Sequence, residues 1–248
     1  MVNKEFEQLQ SKIQGNLEQV MEIVDRAARV SGRTMAEISI LAISKRQPVE
    51  VIEAAYHCGQ LAFGESYVQE ALPKIEHFRK HNDIRWDMVG HVQSKKARPV
   101  AENFCAVHSL DSLKLAKLLD QHRPAETTPL EVFLEVNFGD EITKTGFPAC
   151  NKEDWEALVP VVRQILEMER LKLVGLMTMP PLFPDPQQSR GYFVKLRQLR
   201  DYINNQVKEA ELTQLSAGTS ADFEIAIEEG ATVVRIGERL LGPRIYSD

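Results

Sequence analysis

Short apolar runs of the strand type alternate with helical patterns along most of this chain, and that alternation narrows the folds open to it. The strand-like runs are Ile38–Ile43, Leu61–Phe63, Trp86–Val89, Phe104–Val107, Val132–Val136, Leu173–Met177, Gln214–Leu215 and Val233–Ile236. Between most of them lie amphipathic stretches: Val49–His57, Tyr67–Phe78, Leu113–Gln121, Trp155–Met168, Gly191–Glu209 and Phe223–Glu229. Strands separated by helices pair in parallel, and eight such units are the count for a (β/α)8 barrel of the TIM type. A doubly wound open sheet is the competing architecture, but no GxGxxG follows the first run, which disfavours its dinucleotide-binding version. Upstream, Leu9, Ile13, Leu17, Val20, Ile23 and Val24 recur at helical spacing with charges between them, predicting an extra N-terminal helix over residues 5 to 30. The expectation is an α/β chain: a single (β/α)8 TIM barrel with an added N-terminal helix, one domain over residues 1–248.

Composition removes several classes of function. Hydrophobic content of 43% and charged content of 27% are those of a soluble globular protein. A net charge of −6 argues against a dedicated nucleic-acid surface, though not against a local basic pocket. No stretch is long and apolar enough to span a membrane, and the charged start Met1-Val2-Asn3-Lys4-Glu5 lacks an apolar signal core. Cys58, Cys105 and Cys150 stand at wide spacing, with no CxxC and no zinc pattern. A reduced, cytoplasmic protein is the simplest inference. Cys58 and Cys105 read as buried packing, and the Tyr56-His57-Cys58 cluster as a helix end without metal-ligand partners.

In a barrel, function collects at the C-terminal ends of the strands. Read in order, those ends carry Ser44-Lys45, Gly64-Glu65-Ser66-Tyr67, Gly90-His91 through Lys95-Lys96, His108-Ser109-Leu110-Asp111, Asn137 with Lys144-Thr145-Gly146 downstream, and Thr178. Lys45 follows an apolar run and precedes Pro48. Two readings of it stand: a solvated lysine at a strand end, or a desolvated amine that loses its proton and attacks a carbonyl. His91 and His108 read as structural or rim residues rather than general bases, and Lys95 and Lys96 as a solvated face, with receipt of a phosphate during ligand transfer the alternative. The Pro-rich piece Met179–Pro186 reads as a loop on the same face.

The last two units are the most specific. Ser216-Ala217-Gly218-Thr219-Ser220-Ala221-Asp222 joins a short strand to a helix. Glycine and small hydroxyl residues at a helix start suit a phosphate, because backbone N–H groups are unpaired there and the helix dipole is positive. Ordinary capping by Thr219 or Ser220 is the alternative. Val233-Val234-Arg235-Ile236-Gly237-Glu238 then places an arginine inside a barrel strand, costly unless a phosphate, a ring nitrogen or a carboxylate partners it. A Schiff-base lysine, a phosphate cradle and a cation together make a plausible seat for pyridoxal 5′-phosphate (PLP). A sugar-phosphate aldolase would use similar parts.

These segments carry a resemblance. Leu41–Lys45, Phe63–Glu70, Val89–Lys96, Val174–Met177, the Ser216–Asp222 turn, Val234–Gly237 and Leu241-Gly242 stand in the order seen in the pyridoxal phosphate homeostasis protein family. The likeness runs from about Ile38 to Arg244. It implies a barrel like the N-terminal domain of alanine racemase, with Lys45 holding PLP as a covalent aldimine. It implies Arg235 facing the pyridine nitrogen. Ser220 and the amides of Gly237 and Glu238 would hold the phosphate, with Ser216 and Thr219 nearby and Ser66 on the cofactor side. The chain departs from the family pattern at Ser66, commonly Asn, at Asp87, often His, at Lys95, often Asn, and in the Ala217, Thr219 and Ala221 turn.

Alanine racemase and related decarboxylases carry a β-rich domain after the barrel, whereas this sequence runs only a few residues past the eighth strand, to Asp248. The expectation is therefore a PLP carrier without catalytic turnover, a monomer whose partners are PLP and apo PLP-dependent enzymes. A PLP enzyme acting on amino acids is the alternative, and a cofactor-free Schiff-base aldolase a third.

Overall fold

The computed structural model describes residues 2–139 and 145–244. Among the described residues there are nine strands: β1 (Ser39–Ile43), β2 (Ala62–Glu65), β3 (Arg85–Met88), β4 (Ala106–Leu110), β5 (Leu130–Asn137), β6 (Phe147–Pro148), β7 (Leu171–Met177), β8 (Gln214–Thr219) and β9 (Val233–Ile236). Their order is β4-β3-β2-β1-β9-β8-β7-β5, and a β4–β5 pairing closes the ring. Every pairing is parallel. The two-residue β6 lies outside the ring, against β5. This is the expected eight-stranded barrel, with β1 and β5 on opposite sides of the mouth.

The helices are α1 (Val2–Val30), α2 (Val49–His57), α3 (Val68–His77), α4 (Ala97–Asn103), α5 (Leu113–His122), α6 (Lys152–Leu166), α7 (Arg190–Gln206), α8 (Phe223–Glu228) and α9 (Glu238–Leu241). The expected extra helix is α1. It buries Ile13, Leu17, Val20, Val24 and Ala27 on one stripe against α2, α8 and α9. Asn16 Nδ2 ties it to the Leu240 carbonyl at 3.0 Å. Among the described residues no helix is long and apolar enough to cross a membrane.

Two layers of core follow from strand alternation. Outward residues such as Ala42, Val132 and Val234 pack under the helices, while Leu41, Ile43, Phe133 and Val233 face the barrel axis. The same parity aims Lys45, Glu135 and Arg235 inward at the mouth.

Boundaries differ from expectation where polar residues lie inside the ring. The fourth strand runs Ala106–Leu110, not Phe104–Val107, because Phe104 closes α4 and the polar His108 and Ser109 continue the strand. The second continues through Gly64 and Glu65, and the eighth through Gly218 to Thr219. Helix α4 carries no strong sequence signal. It has seven residues, and Pro99 sits in its first turn, where a missing N–H leaves no helical bond unmade.

Candidate functional site

Lys45 is the second residue beyond β1, half-buried at the barrel mouth. Its backbone is pinned from below. The Ser44 amide donates to Gly64 O at 3.0 Å, and Ser44 Oγ donates to Glu65 Oε1 at 2.7 Å. Lys74 Nζ, on α3, donates to Ser44 O at 2.8 Å, to Glu65 Oε1 at 2.8 Å and to Glu70 Oε1 at 2.6 Å. The next residue, Arg46, has φ 57°, and its amide donates to Glu70 Oε1. Among the described residues it is the one non-glycine in the left-handed region, where a side chain costs about 1–3 kcal/mol. The turn that aims Lys45 is therefore held by surrounding bonds. Burial first, then the Arg244 and Arg46 cations, holds the Lys45 amine below the usual lysine range. That shift enlarges the neutral, nucleophilic fraction.

The turn after β8 puts its two hydroxyls to different uses. Neither caps α8, whose N-cap is Asp222: the Thr219 amide and Oγ1 both donate to Asp222 Oδ1, at 2.7 and 3.0 Å. Ser220 Oγ accepts from the Gly237 amide at 3.3 Å. Among the described residues the amides of Ser220, Ala221 and Glu238 have no backbone acceptor. Gly218 makes the turn possible, with φ +87° and Phe223 Cα at 2.7 Å from where a Cβ would stand. A serine hydroxyl and unpaired amides on adjoining loops form a donor set suited to a phosphate.

Arg235 is buried. Its Nη1 donates to Ser216 Oγ at 2.8 Å and its Nη2 to Thr178 O at 3.0 Å. Burial brings its pKa down to about 10, opposed by Asp222 and Glu135, so the guanidinium remains a cation at neutral pH. Its resident partners are a hydroxyl and a carbonyl, and neither carries charge.

One cavity of about 850 Å³ joins these groups, a size that accommodates a drug-sized ligand. Lys45, Ser66, Thr219, Ser220, Arg235, Gly237 and Glu238 all line it. Ser216 is fully buried and set back behind Arg235, so it acts on that side chain and does not form part of the wall. Gly90, also on the wall, leaves no room for a side chain: a Cβ would stand 2.3 Å from Ser66 O.

Other residues fall apart by role. His91 is an exposed rim residue paired to Asp111 at 2.9 Å, while His108 is wholly buried. Lys96 lines the cavity and Lys95 points to solvent. Asn137 accepts from the Gly139 amide at 2.9 Å, and Lys144 lies outside the described residues. Cys105 is exposed and Cys58 half-buried, contrary to their reading as buried packing. Cys105 ends up in solvent because its strand begins one residue later. Among the described residues no His, Cys, Asp or Glu group is arranged to hold a metal.

Glu135 is a wall residue that the strand-end reading missed. It is 8% exposed, accepts from Thr145 Oγ1 at 2.8 Å and leaves Oε2 without a partner. Burial raises its carboxyl above the usual range. The available signal was parity: in Glu131-Val132-Phe133-Leu134-Glu135, both acids share the inward face with Phe133.

Comparison with known proteins agrees with this geometry. The alanine racemase N-terminal domain family matches residues 13–244. The pyridoxal phosphate homeostasis protein of Vibrio alginolyticus is 39% identical over 240 residues, covering 96% of this chain and 100% of that protein. PipY of Synechococcus elongatus PCC7942, solved with PLP bound, superposes with a TM-score of 0.76 at 31% identity, covering 89% of this chain and 100% of PipY. Alanine racemase from Corynebacterium glutamicum shares the fold at 13% identity and a TM-score of 0.65, over 93% of this chain and 61% of that enzyme. With relatives of this identity aligned over nearly their full length, the chain belongs to the pyridoxal phosphate homeostasis protein family, built on the alanine racemase N-terminal barrel.

Proposed function

We propose that this protein binds pyridoxal 5′-phosphate and takes part in PLP homeostasis, holding the cofactor through Lys45 and releasing it to apo PLP-dependent enzymes. The observation that carries this reading is the convergence on one cavity of a desolvated lysine, a serine with unpaired amides beside it, and a buried arginine. The cofactor's three demands are an amine for its aldehyde, donors for its phosphate and a group for its ring nitrogen. Lys45 supplies the first, Ser220 with the amides of Gly237 and Glu238 the second, and Arg235 the third. Ser66 stands on the cofactor side, Thr219 shapes the phosphate turn through Asp222, and Ser216 fixes Arg235. When bound, the cofactor supplies an electrophilic carbon; a cation opposite its nitrogen keeps that nitrogen unprotonated and the ring a poor electron sink.

We read the whole of residues 1–248 as one PLP-binding unit, acting as a monomeric carrier and not as an enzyme. The support is that relatives bearing the homeostasis name align with it over their full length. A cytoplasmic setting fits the free thiols of Cys58 and Cys105.

The test is the visible spectrum of the purified protein with added PLP, before and after borohydride, followed by peptide mapping. A yellow protein whose reduced adduct maps to Lys45 supports the reading. A protein that takes up no PLP overturns it and brings forward the cofactor-free aldolase. Amino-acid racemase, decarboxylase or transaminase turnover that vanishes in Lys45→Ala would replace the carrier with an enzyme.

A further inference from the structure

Barrel interiors are filled by apolar layers, as Phe133, Val174 and Met177 do here. A polar column nevertheless runs through this one. From the cavity downward, Arg235 Nη1 donates to Ser216 Oγ at 2.8 Å. Ser216 Oγ lies 2.8 Å from His108 Nδ1, and His108 Nε2 lies 3.1 Å from Asp87 Oδ2. Asp87 accepts from Arg85 Nε at 2.9 Å, and Arg85 Nη2 reaches Glu131 Oε2 at 2.7 Å. Ser216 and His108 are wholly buried and Asp87 nearly so, while Arg85 reaches solvent at the far end. His108 is also held flat against Phe133, ring centroids 4.2 Å apart.

The donors in this column have one consistent arrangement. A guanidinium only donates, and a carboxylate between two N–H groups accepts from both. Burial lowers the His108 pKa despite Asp87, so its ring is neutral and carries one hydrogen. That hydrogen belongs on Nε2, facing the carboxylate. Nδ1 then accepts, the Ser216 hydroxyl proton points to it, and the Ser216 lone pair is left for Arg235.

We propose that Asp87 and His108 are positioning residues for Arg235: through Ser216 they orient the guanidinium on the cavity wall and so fix the cation presented to the bound cofactor. Its effect on the cofactor rests on the PLP reading above; the hydrogen arrangement does not. Groups acting in series give non-additive variants.

Two measurements test it. In the cofactor-free wild-type protein, 15N NMR of the labelled imidazole is expected to show His108 as the neutral Nε2–H tautomer across neutral pH. An Nδ1–H tautomer or an imidazolium overturns the proposal. In PLP-loaded protein, Ser216→Ala and Asp87→Leu are each expected to shift the pH midpoint of the cofactor's visible band. The double variant is expected to shift it no further than the larger single change. A band unmoved in Asp87→Leu, or shifts that add, overturns the proposal. Asp87→Asn, which keeps an acceptor for Nε2–H, is expected to shift the band less and substitutes if the leucine variant fails to fold. If no variant or wild type develops a band, the PLP reading falls and the tautomer alone decides the column.

Discussion

Lys74 Nζ donates to the carbonyl oxygen of Ser44 at 2.8 Å, so an ammonium on α3 grips the peptide that begins Lys45. The same ammonium bridges Glu65 and Glu70, and its side chain is 7% exposed. Removing one member of a buried ion pair leaves an unpaired charge behind, at a cost of about 3–5 kcal/mol. Lys74→Met is expected to lose that much stability in urea unfolding. Pairing it with Glu65→Leu is expected to recover most of the loss, since the orphaned carboxylate goes too.

The Lys45 amine is expected to titrate below pH ~10.4, the point of an unperturbed lysine, and so to react with aldehyde at lower pH. The rate of PLP uptake, followed by stopped-flow absorbance, should rise with pH through a midpoint below that value. Arg244 is the larger of the two cationic contributions that lower it. In Arg244→Leu the midpoint should move up, toward the ordinary lysine value.

Ser220 and Thr219 are adjacent, yet their substitutions should separate. Ser220→Ala removes a hydroxyl available to the phosphate, and a hydrogen bond to a charged group is worth about 1.5–3 kcal/mol. Equilibrium titration should show PLP affinity falling roughly 10- to 100-fold, about tenfold per 1.4 kcal/mol, with little change in melting temperature. Thr219→Val keeps the amide bond to Asp222 but loses the hydroxyl bond. It should cost stability, about 1.5 kcal/mol for a lost hydrogen bond to a carboxylate, with PLP affinity nearly retained.

Glu135 should make stability fall as pH rises. Its carboxyl titrates higher folded than unfolded, so the folded state binds more protons between the two values. The resulting stabilisation is present below the unfolded value of ~4.3 and is lost as pH climbs through the folded one. Glu135→Gln keeps an acceptor for Thr145 Oγ1 and does not titrate. Its melting temperature should exceed that of wild type at alkaline pH, with the gap closing in acid.

What was legible from sequence was whatever local pattern encodes. Apolar runs alternating with amphipathic ones specify parallel strands under helices, and the stripe from Ile13 to Val24 specifies α1. Lys45 at the end of an apolar run, and Arg235 inside one, announced a polar mouth on an apolar barrel. The strand ends were less legible, because a barrel interior that admits His108, Ser216 and Asp87 erases the contrast by which a strand is recognised. Only the closed ring could decide how hydroxyls that look alike in sequence are used: Thr219 to hold Asp222, Ser220 for the cavity, Ser216 for Arg235. Only it could bring Glu135 on β5 to the wall opposite Lys45, or stack residues 87, 108, 216 and 235 into one column. The period of a chain fixes which face a side chain takes; the curvature and closure of the sheet fix which distant side chain it meets there.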